Sequence, residues 1–298
     1  MRAAASIGFE FDAMASRCEV RLAGVRDEAR GRALARCAID EVRRIEAKFS
    51  RYRDDSVVAA INRAAGGAAV RIDAETRALL GYADALWRDS AGRFDATSGV
   101  LRRAWDFRAG VVPAPSAIAP LLECVDWAAV ERDGDTVRLP RAGMELDFGG
   151  FGKEYAADRA AEVLRAAGAR CGFVDLGGDI RAVGPQPDGA PWSIGVRDPR
   201  AADRTIASID LAWGAVCTSG DYERYFERDG LRYCHVLDPA SGMPVRHWRS
   251  VTVAAPVAVA AGGYTTIAML LEADAVAYLE ATGLPWIAVG PDGALRSS

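Results

Sequence analysis

The segment Met144 to Asp158, M-E-L-D-F-G-G-F-G-K-E-Y-A-A-D, constrains the fold more than any other part of the chain. Met144–Phe148 alternates in polarity and reads as a strand, and Gly149, Gly150 and Gly152 crowd a tight turn. A helix is then expected from Glu154 to Ala167. Glycines let a backbone approach a ligand closely, and a helix start offers unpaired amides to an anion. Lys153 adds a point charge suited to phosphate. Glu154, rather than Ser or Thr, follows the lysine, so this is not a Walker loop. An ordinary strand-to-helix turn, its glycines serving packing, accounts for the same letters, and the segment alone leaves both readings open.

The rest of the chain divides into strands and helices around that turn. Cys18–Ala23 alternates polar and apolar residues and reads as a strand. Between Glu28 and Phe49, the residues Leu34, Ala38, Val42, Ile45 and Phe49 mark one face of a long helix. Ser56 is placed to cap a short helix running through Ala65. A third helix covers Ala74 to Arg88, with Leu79, Ala83, Leu86 and Trp87 facing inward. From Gly92 to Pro120, aromatics, glycines and prolines break the pattern, and a stretch that long reads as a ligand-covering loop. Strands follow at Gly172–Leu176, Trp192–Val196, Thr205–Leu211 and Ser250–Ala254. Helices are expected at Ala258–Leu271 and Asp274–Ala281, and a last strand at Trp286–Val289. The expected architecture is α+β in a single compact unit over residues 1–298, as one large domain or two intimate lobes.

Composition removes several function classes. The net charge is only −4 and both signs are dispersed, so the basic face that nucleic acid requires is missing. No stretch approaches the roughly 20 apolar residues needed to span a bilayer. Met1 to Glu10 lacks the apolar core of a secretion signal. The expected location is therefore cytoplasmic for the chain as written, or periplasmic if an upstream export segment has been removed. Six cysteines, at 18, 37, 124, 171, 217 and 234, lack the spacing of a zinc knuckle or redox motif, and read as small buried hydrophobes in a reducing compartment. The only histidines are His235 and His247, which excludes a histidine-rich metal site. Lysine occurs only at Lys48, on the first helix, and at Lys153.

Four further segments have the residue types that chemistry needs. Phe173 to Gly184, F-V-D-L-G-G-D-I-R-A-V-G, sets a glycine pair between carboxylates and reads as a hairpin or as a close approach to a ligand. Thr218 to Arg224, T-S-G-D-Y-E-R, ends an apolar strand in polar residues. In Cys234 to Val245, Asp238-Pro239 and Ser241-Gly242 form a strong turn signal, with His235 on the strand before it. Tyr52 and the run Trp105-Asp106-Phe107 place aromatics beside loops, where they either stack on a planar ring or pack in the core.

Taken in order, these pieces resemble the FAD:protein FMN transferases, the ApbE-type flavin transferases. The matching motifs are D-A-M-A-S at 12–16, F-S-R-Y-R-D-D-S at 49–56 completed by Asn62, F-D-A-T-S-G-V-L at 94–101 and W-D-F at 105–107. They continue as E-L-D-F-G-G-F-G-K-E-Y at 145–155, V-D-L-G-G-D-I at 174–180, T-S-G-D-Y at 218–222 and H-V-L-D-P-A-S-G at 235–242. The resemblance spans residues 9 to 290 and implies an ApbE-like unit with mixed sheets, helices and a ligand cleft between two lobes. It further implies that Met14 touches the flavin, that Tyr52 stacks near it, and that Trp105, Asp106 and Phe107 contact FAD. Asp147 would hydrogen-bond the ligand, Lys153 would address its phosphates, and Val236 would line the cleft beside the cofactor. His235 and Asp238 would carry the catalysis where FAD meets an acceptor flavoprotein. The implied reaction is attack of a Ser or Thr hydroxyl of the acceptor on the FMN-side phosphorus of FAD, with release of AMP.

The resemblance also implies Mg2+, held by the Gly150 carbonyl and Thr266, and here the chain departs from the pattern. Relatives usually carry A-D-A-x-x-T near the C-terminus, whereas this chain reads A-G-G-Y-T-T at 261–266, with Gly262 where the metal-binding aspartate belongs. On this reading Gly262→Asp strengthens magnesium dependence, and substrate phosphates, water or a displaced acid such as Asp179 would compensate in its absence. Ala15 replaces the usual glycine after Met14, and Glu154 replaces the usual glycine after Lys153. Glu154 sets a negative charge beside phosphates unless it points away or itself helps hold the metal. Two rival functions follow from the missing acid and the shared cleft: an FAD carrier or sensor without transfer, and an Mg-dependent FAD pyrophosphatase.

Overall fold

The computed structural model describes residues 6–298; residues 1–5, the start of the stretch read for a leader, lie outside them. An eight-stranded sheet organises the chain. Its spatial order is Ser6–Ala13, Ser16–Ala23, Cys171–Leu176, Asp179–Gly184, Ala215–Gly220, Ser250–Ala255, Trp286–Val289 and Leu295–Ser297. Every ladder in it is antiparallel, which corrects the expectation of mixed sheets.

Period-two alternation gives the sheet two apolar faces. Val20, Leu22, Val174, Leu176, Cys217, Val251 and Val253 face the helices in the main core. Phe173, Ile180, Ala182 and Val216 face a hairpin, Trp192–Asp198 with Ala201–Leu211, which adds Trp192, Ile194 and Leu211. The Trp192 indole donates to the Gly184 carbonyl at 2.9 Å, so its polar edge is satisfied as it is buried.

The helices are α1 (Glu28–Phe49), α2 (Val57–Arg63), α3 (Ala74–Asp89), α4 (Pro115–Leu122), α5 (Gly152–Ala166), α6 (Ala258–Leu271) and α7 (Ala275–Thr282). Asp27, Ser56 and Asp73 cap α1, α2 and α3 by accepting from the amides of Arg30, Ala59 and Thr76. The face predicted for α1 is the buried one, and Leu79, Ala83 and Leu86 of α3 are buried while Trp87 is half-buried. Helix α6 has no capping side chain of its own; Asp158 of α5 accepts from Ala258 N and Val259 N at 2.9 Å each. Among the described residues no helix is long and apolar enough to cross a membrane.

Three stretches depart from expectation. Ser6–Ala13 is an additional edge strand, paired to Ser16–Ala23 through a turn at Met14-Ala15. Both turn residues have positive φ, 51° and 57°, a conformation normally given to glycine or asparagine, so the letters carry no hairpin signal. Residues 92–120 are not one irregular loop, since they contain a 3₁₀ turn at Ser98–Arg103 and helix α4, entered through Pro115. Met144–Phe148, expected as a strand, pairs with no other strand. Its backbone is satisfied otherwise: Leu146 N donates to Asn62 Oδ1 at 2.7 Å, Asn62 Nδ2 donates to Leu146 O at 3.0 Å, and Asp147 N donates to Ala96 O at 2.9 Å.

Candidate active site

The glycine turn and the start of α5 form the floor of the site. Gly152 N and Phe151 N both donate to Phe148 O, and α5 opens with no side-chain cap. Among the described residues, the amides of Gly150 and Lys153 have no partner of their own and remain available to an anion. The glycines also serve packing: a Cβ at Gly150 would lie 2.7 Å from the Phe94 ring. Packing and ligand access thus share one turn.

Lys153 projects from this start and pairs with Asp179 Oδ2 at 2.7 Å. Its side chain is 32% exposed and that of Asp179 only 3%, so the pair opens to solvent from the lysine side alone. Burial works against the Lys153 charge, but Asp179 and Glu154 outweigh it and hold the ammonium above its ordinary range. Asp179 follows a two-glycine hairpin turn, Gly177-Gly178, with φ of 69° and 95°. A Cβ at Gly177 would lie 2.8 Å from Ser16 and 3.9 Å from Lys153 Nζ. The turns of D-A-M-A-S and V-D-L-G-G-D-I therefore meet at the lysine.

Met14 is half-buried beside an open hollow of about 540 Å³ lined by Asp12, Ala13, Ala15, Ser16, Arg17 and Glu46. Its amide donates to Glu46 Oε1 at 2.6 Å, which fixes the strained turn to α1. Asp147 is held on both oxygens, by Gly149 N at 2.9 Å and by the Arg51 guanidinium. Gly99 is required there, because a Cβ would lie 2.6 Å from that of Asp147. Tyr52 is 69% exposed, with Arg51 and Arg102 packed over its ring at 4.9 and 6.0 Å.

The aromatic run is divided in its roles. Trp105 is buried, donates to Gly242 O at 2.8 Å and stacks on Phe107 at 5.9 Å within a cluster that includes Phe226 and Tyr233. Only Phe107, half-buried, and Asp106, exposed, have surface to offer. Asp106 Oδ1 already accepts from the amides of Arg108 and Ala109.

His235 and Asp238 are not joined by a hydrogen bond. Asp238 accepts from Ala240 N at 3.1 Å and Ser241 Oγ at 2.7 Å, and so builds the turn of its own motif. His235 is exposed and lies just past the strand Leu231–Cys234. Loss of water, with the positive charges of Arg224 and Lys153, pushes its imidazole down to about 4, leaving it neutral at neutral pH. Val236 is half-buried and held by Val245 N at 3.0 Å.

Thr266 Oγ1 lies 3.5 Å from Gly150 O and 3.4 Å from Ser219 Oγ. Adjacent oxygen ligands of a hard cation sit about 3 Å apart, so this pair is spaced and typed to share one. The Gly150–Thr266 contact and the buried, unpartnered Glu154 Oε2 beside Gly262 fit a magnesium-class ion. Burial and the nearby Asp179 push the Glu154 carboxyl up, with Lys153 opposing. Gly262→Asp does not simply restore a missing acid, because a Cβ at Gly262 would lie 2.5 Å from Glu154 Cγ. Asp179 is committed to Lys153. Ser219 is the residue that sequence reasoning left without a place, whereas Glu154 was expected to point away or to help hold the metal. Glu154 carried a signal, since it stands where glycine is usual; Ser219 carried none beyond membership of T-S-G-D-Y.

The six cysteines are unpaired; Cys18, Cys217 and Cys234 are buried, Cys124 and Cys171 half-buried and Cys37 exposed.

Comparison with known proteins places this geometry in context. The sequence model described as "ApbE family" matches residues 14–287. The FAD:protein FMN transferase of Treponema pallidum is 33% identical, the match covering 94% of this chain and 83% of that protein. The corresponding Klebsiella pneumoniae protein is 37% identical over 74% of this chain and 70% of its own. The crystal structure of an ApbE protein from Thermotoga maritima superposes with a TM-score of 0.91 at 33% identity, covering 99% of this chain and 97% of that one. The apo flavinyl transferase ApbE of Pseudomonas stutzeri gives 0.87 at 30% identity, covering 99% and 95%.

Proposed function

The chain belongs to the ApbE family, and on that premise we propose that it is an FAD:protein FMN transferase acting as one unit over residues 1–298. The observation that carries this reading is the meeting of the Met14-Ala15 and Gly177-Gly178 turns with Lys153 at the uncapped start of α5. Amides and an ammonium converge there, as the binding of a doubly charged bridge requires. The FAD diphosphate lies over that start, with Lys153 addressing it as a point charge. The flavin extends toward Met14, Tyr52 and Phe107, with Asp147 and Asp106 as polar contacts. Trp105 supports Phe107 from behind.

Phosphoryl transfer depends chiefly on positioning and on charge neutralisation. The acceptor's Ser or Thr oxygen bonds to the FMN-side phosphorus as the bond from that phosphorus to the bridging oxygen breaks. AMP leaves with the bridging oxygen, and FMN stays on the acceptor as a phosphodiester. Neutral His235 receives the hydroxyl proton, and Asp238 shapes the turn that supports it. Gly150 O and Thr266 Oγ1 would hold magnesium, which would supply further neutralisation of diphosphate charge.

AMP release with and without an acceptor flavoprotein tests the reading. Transfer predicts AMP in proportion to acceptor and flavin covalently attached to it. FMN and AMP formed equally without acceptor mean hydrolysis, and bound FAD left intact in both reactions means a carrier; either result contradicts the proposal.

A further inference from the structure

Helices α5 and α6 are locked in register by two contacts. Asp158 accepts from the first amides of α6, at Ala258 and Val259. One turn earlier on α5, Glu154 lies against Gly262, one turn further along α6. The two contacts run antiparallel, each stepping four residues, so both acids share one face of α5. A Cβ built at Gly262 would lie 2.5 Å from Glu154 Cγ and 2.6 Å from Cδ. The Glu154 side chain therefore occupies the volume that a side chain at 262 would fill. Thr266 follows Gly262 by one turn on the same face, and its hydroxyl meets the Gly150 carbonyl.

Glu154 is 6% exposed, and its Oε2 has no hydrogen-bond partner. Lys153, the neighbouring cation, is bonded to Asp179 instead. A buried carboxylate oxygen left unpaired is costly, and buried charges are normally paired or bound to metal.

We infer that Glu154 supplies, from α5, the carboxylate of an oxygen-ligand site for a divalent cation, completed by Gly150 O and Thr266 Oγ1. The inference rests on the proposed function for its biological use. Among the described residues no group of three or more His, Cys, Asp or Glu is arranged to hold a metal. The site accordingly relies on one acid, a carbonyl, a hydroxyl and the phosphates of the dinucleotide. That is how magnesium usually binds, through one or two carboxylates plus substrate phosphates. The glycine at 262 and the acid at 154 are then one exchange: the carboxylate has moved from one helix to the helix facing it.

The test is Mn2+ binding followed by electron paramagnetic resonance, with Mn2+ as a stand-in for Mg2+. FAD binding is followed by flavin fluorescence in the same samples. Glu154→Gln is expected to weaken Mn2+ binding at least about tenfold while the melting temperature and FAD binding in the absence of metal stay near wild type. The exchange variant Glu154→Gly/Gly262→Asp is expected to bind Mn2+ within about threefold of wild type. Gly262→Asp alone is expected to melt lower, because two side chains then compete for one volume. Unchanged Mn2+ affinity in Glu154→Gln overturns the inference and leaves Glu154 as a space-filling acid. A wild-type protein that binds no FAD defeats the functional reading instead, and the Mn2+ titration repeated with inorganic pyrophosphate in place of FAD still decides the metal site.

Discussion

Lys153 carries two obligations that a variant must separate. Its side chain is partly exposed and is the proposed phosphate contact, and it neutralises Asp179, whose side chain is nearly inaccessible. Lys153→Ala leaves that carboxylate buried without its partner, which costs roughly 1–3 kcal/mol for a pair this partly exposed. Adding Asp179→Asn is expected to recover most of the lost melting temperature. FAD affinity stays about 10- to 100-fold weaker in both variants, since the charge-assisted contact is gone either way. Flavin-fluorescence titration beside a thermal melt checks this, and full FAD affinity in the double variant would remove Lys153 from the site. At this scale much was legible: a lysine in a glycine turn at a helix start announces itself. Its partner was not, because Asp179 and Lys153 meet only once the sheet and α5 are assembled. Nor was the burial of Trp105 legible, since an aromatic in a glycine- and proline-rich stretch looks the same whether it faces a ligand or a small core.

The elements that hold the site are tied together by few polar groups. Glu75 at the start of α3 accepts from Arg44 at 2.7 Å, from Lys48 at 2.6 Å and from Tyr155 at 2.8 Å, and so links α1, α3 and α5. The Arg44 bonds first, opposed by burial, and then Lys48 and Tyr155 hold its carboxyl down at about 2. A carboxyl depressed on folding stabilises the protein above its ordinary range, and that contribution is lost as pH falls through the folded value. Wild type is therefore expected to lose about 1–2 kcal/mol from this group between pH 5 and 2, after allowance for solvent screening. Glu75→Gln should lack that component, so urea midpoints of the two proteins should converge in acid; parallel pH dependence would dismiss the network. Sequence and structure agree where a helical apolar pattern is long: α1 and α6 match the predicted spans Glu28–Phe49 and Ala258–Leu271. They failed where a backbone found a partner that periodicity cannot see. The Asn62 amide takes the place of a neighbouring strand for Leu146, and the positive φ at Met14 and Ala15 turns a hairpin without glycine.

Across the whole molecule, one contiguous core runs from Ala13 at the end of the edge strand to Ala288 on the strand Trp286–Val289, and it binds the site's contributors into a single frame. Two turns of the large sheet, the start of α5 and one face of α6 are brought to the same place by antiparallel pairing and by Asp158 capping α6. The order of motifs made the family and the α+β class legible. The metal side was obscure because the contact between Glu154 and Gly262 joins distant parts of the chain, and each departure read alone looks like a loss. The central claim is that the FAD diphosphate rests on the uncapped start of α5 beside Lys153. A crystal structure of the protein with FAD tests it most directly. The account predicts diphosphate oxygens within hydrogen-bond distance of Lys153 Nζ and of amides in the 149–153 turn. A diphosphate bound elsewhere, with that turn closed and Lys153 still engaged only by Asp179, would contradict it.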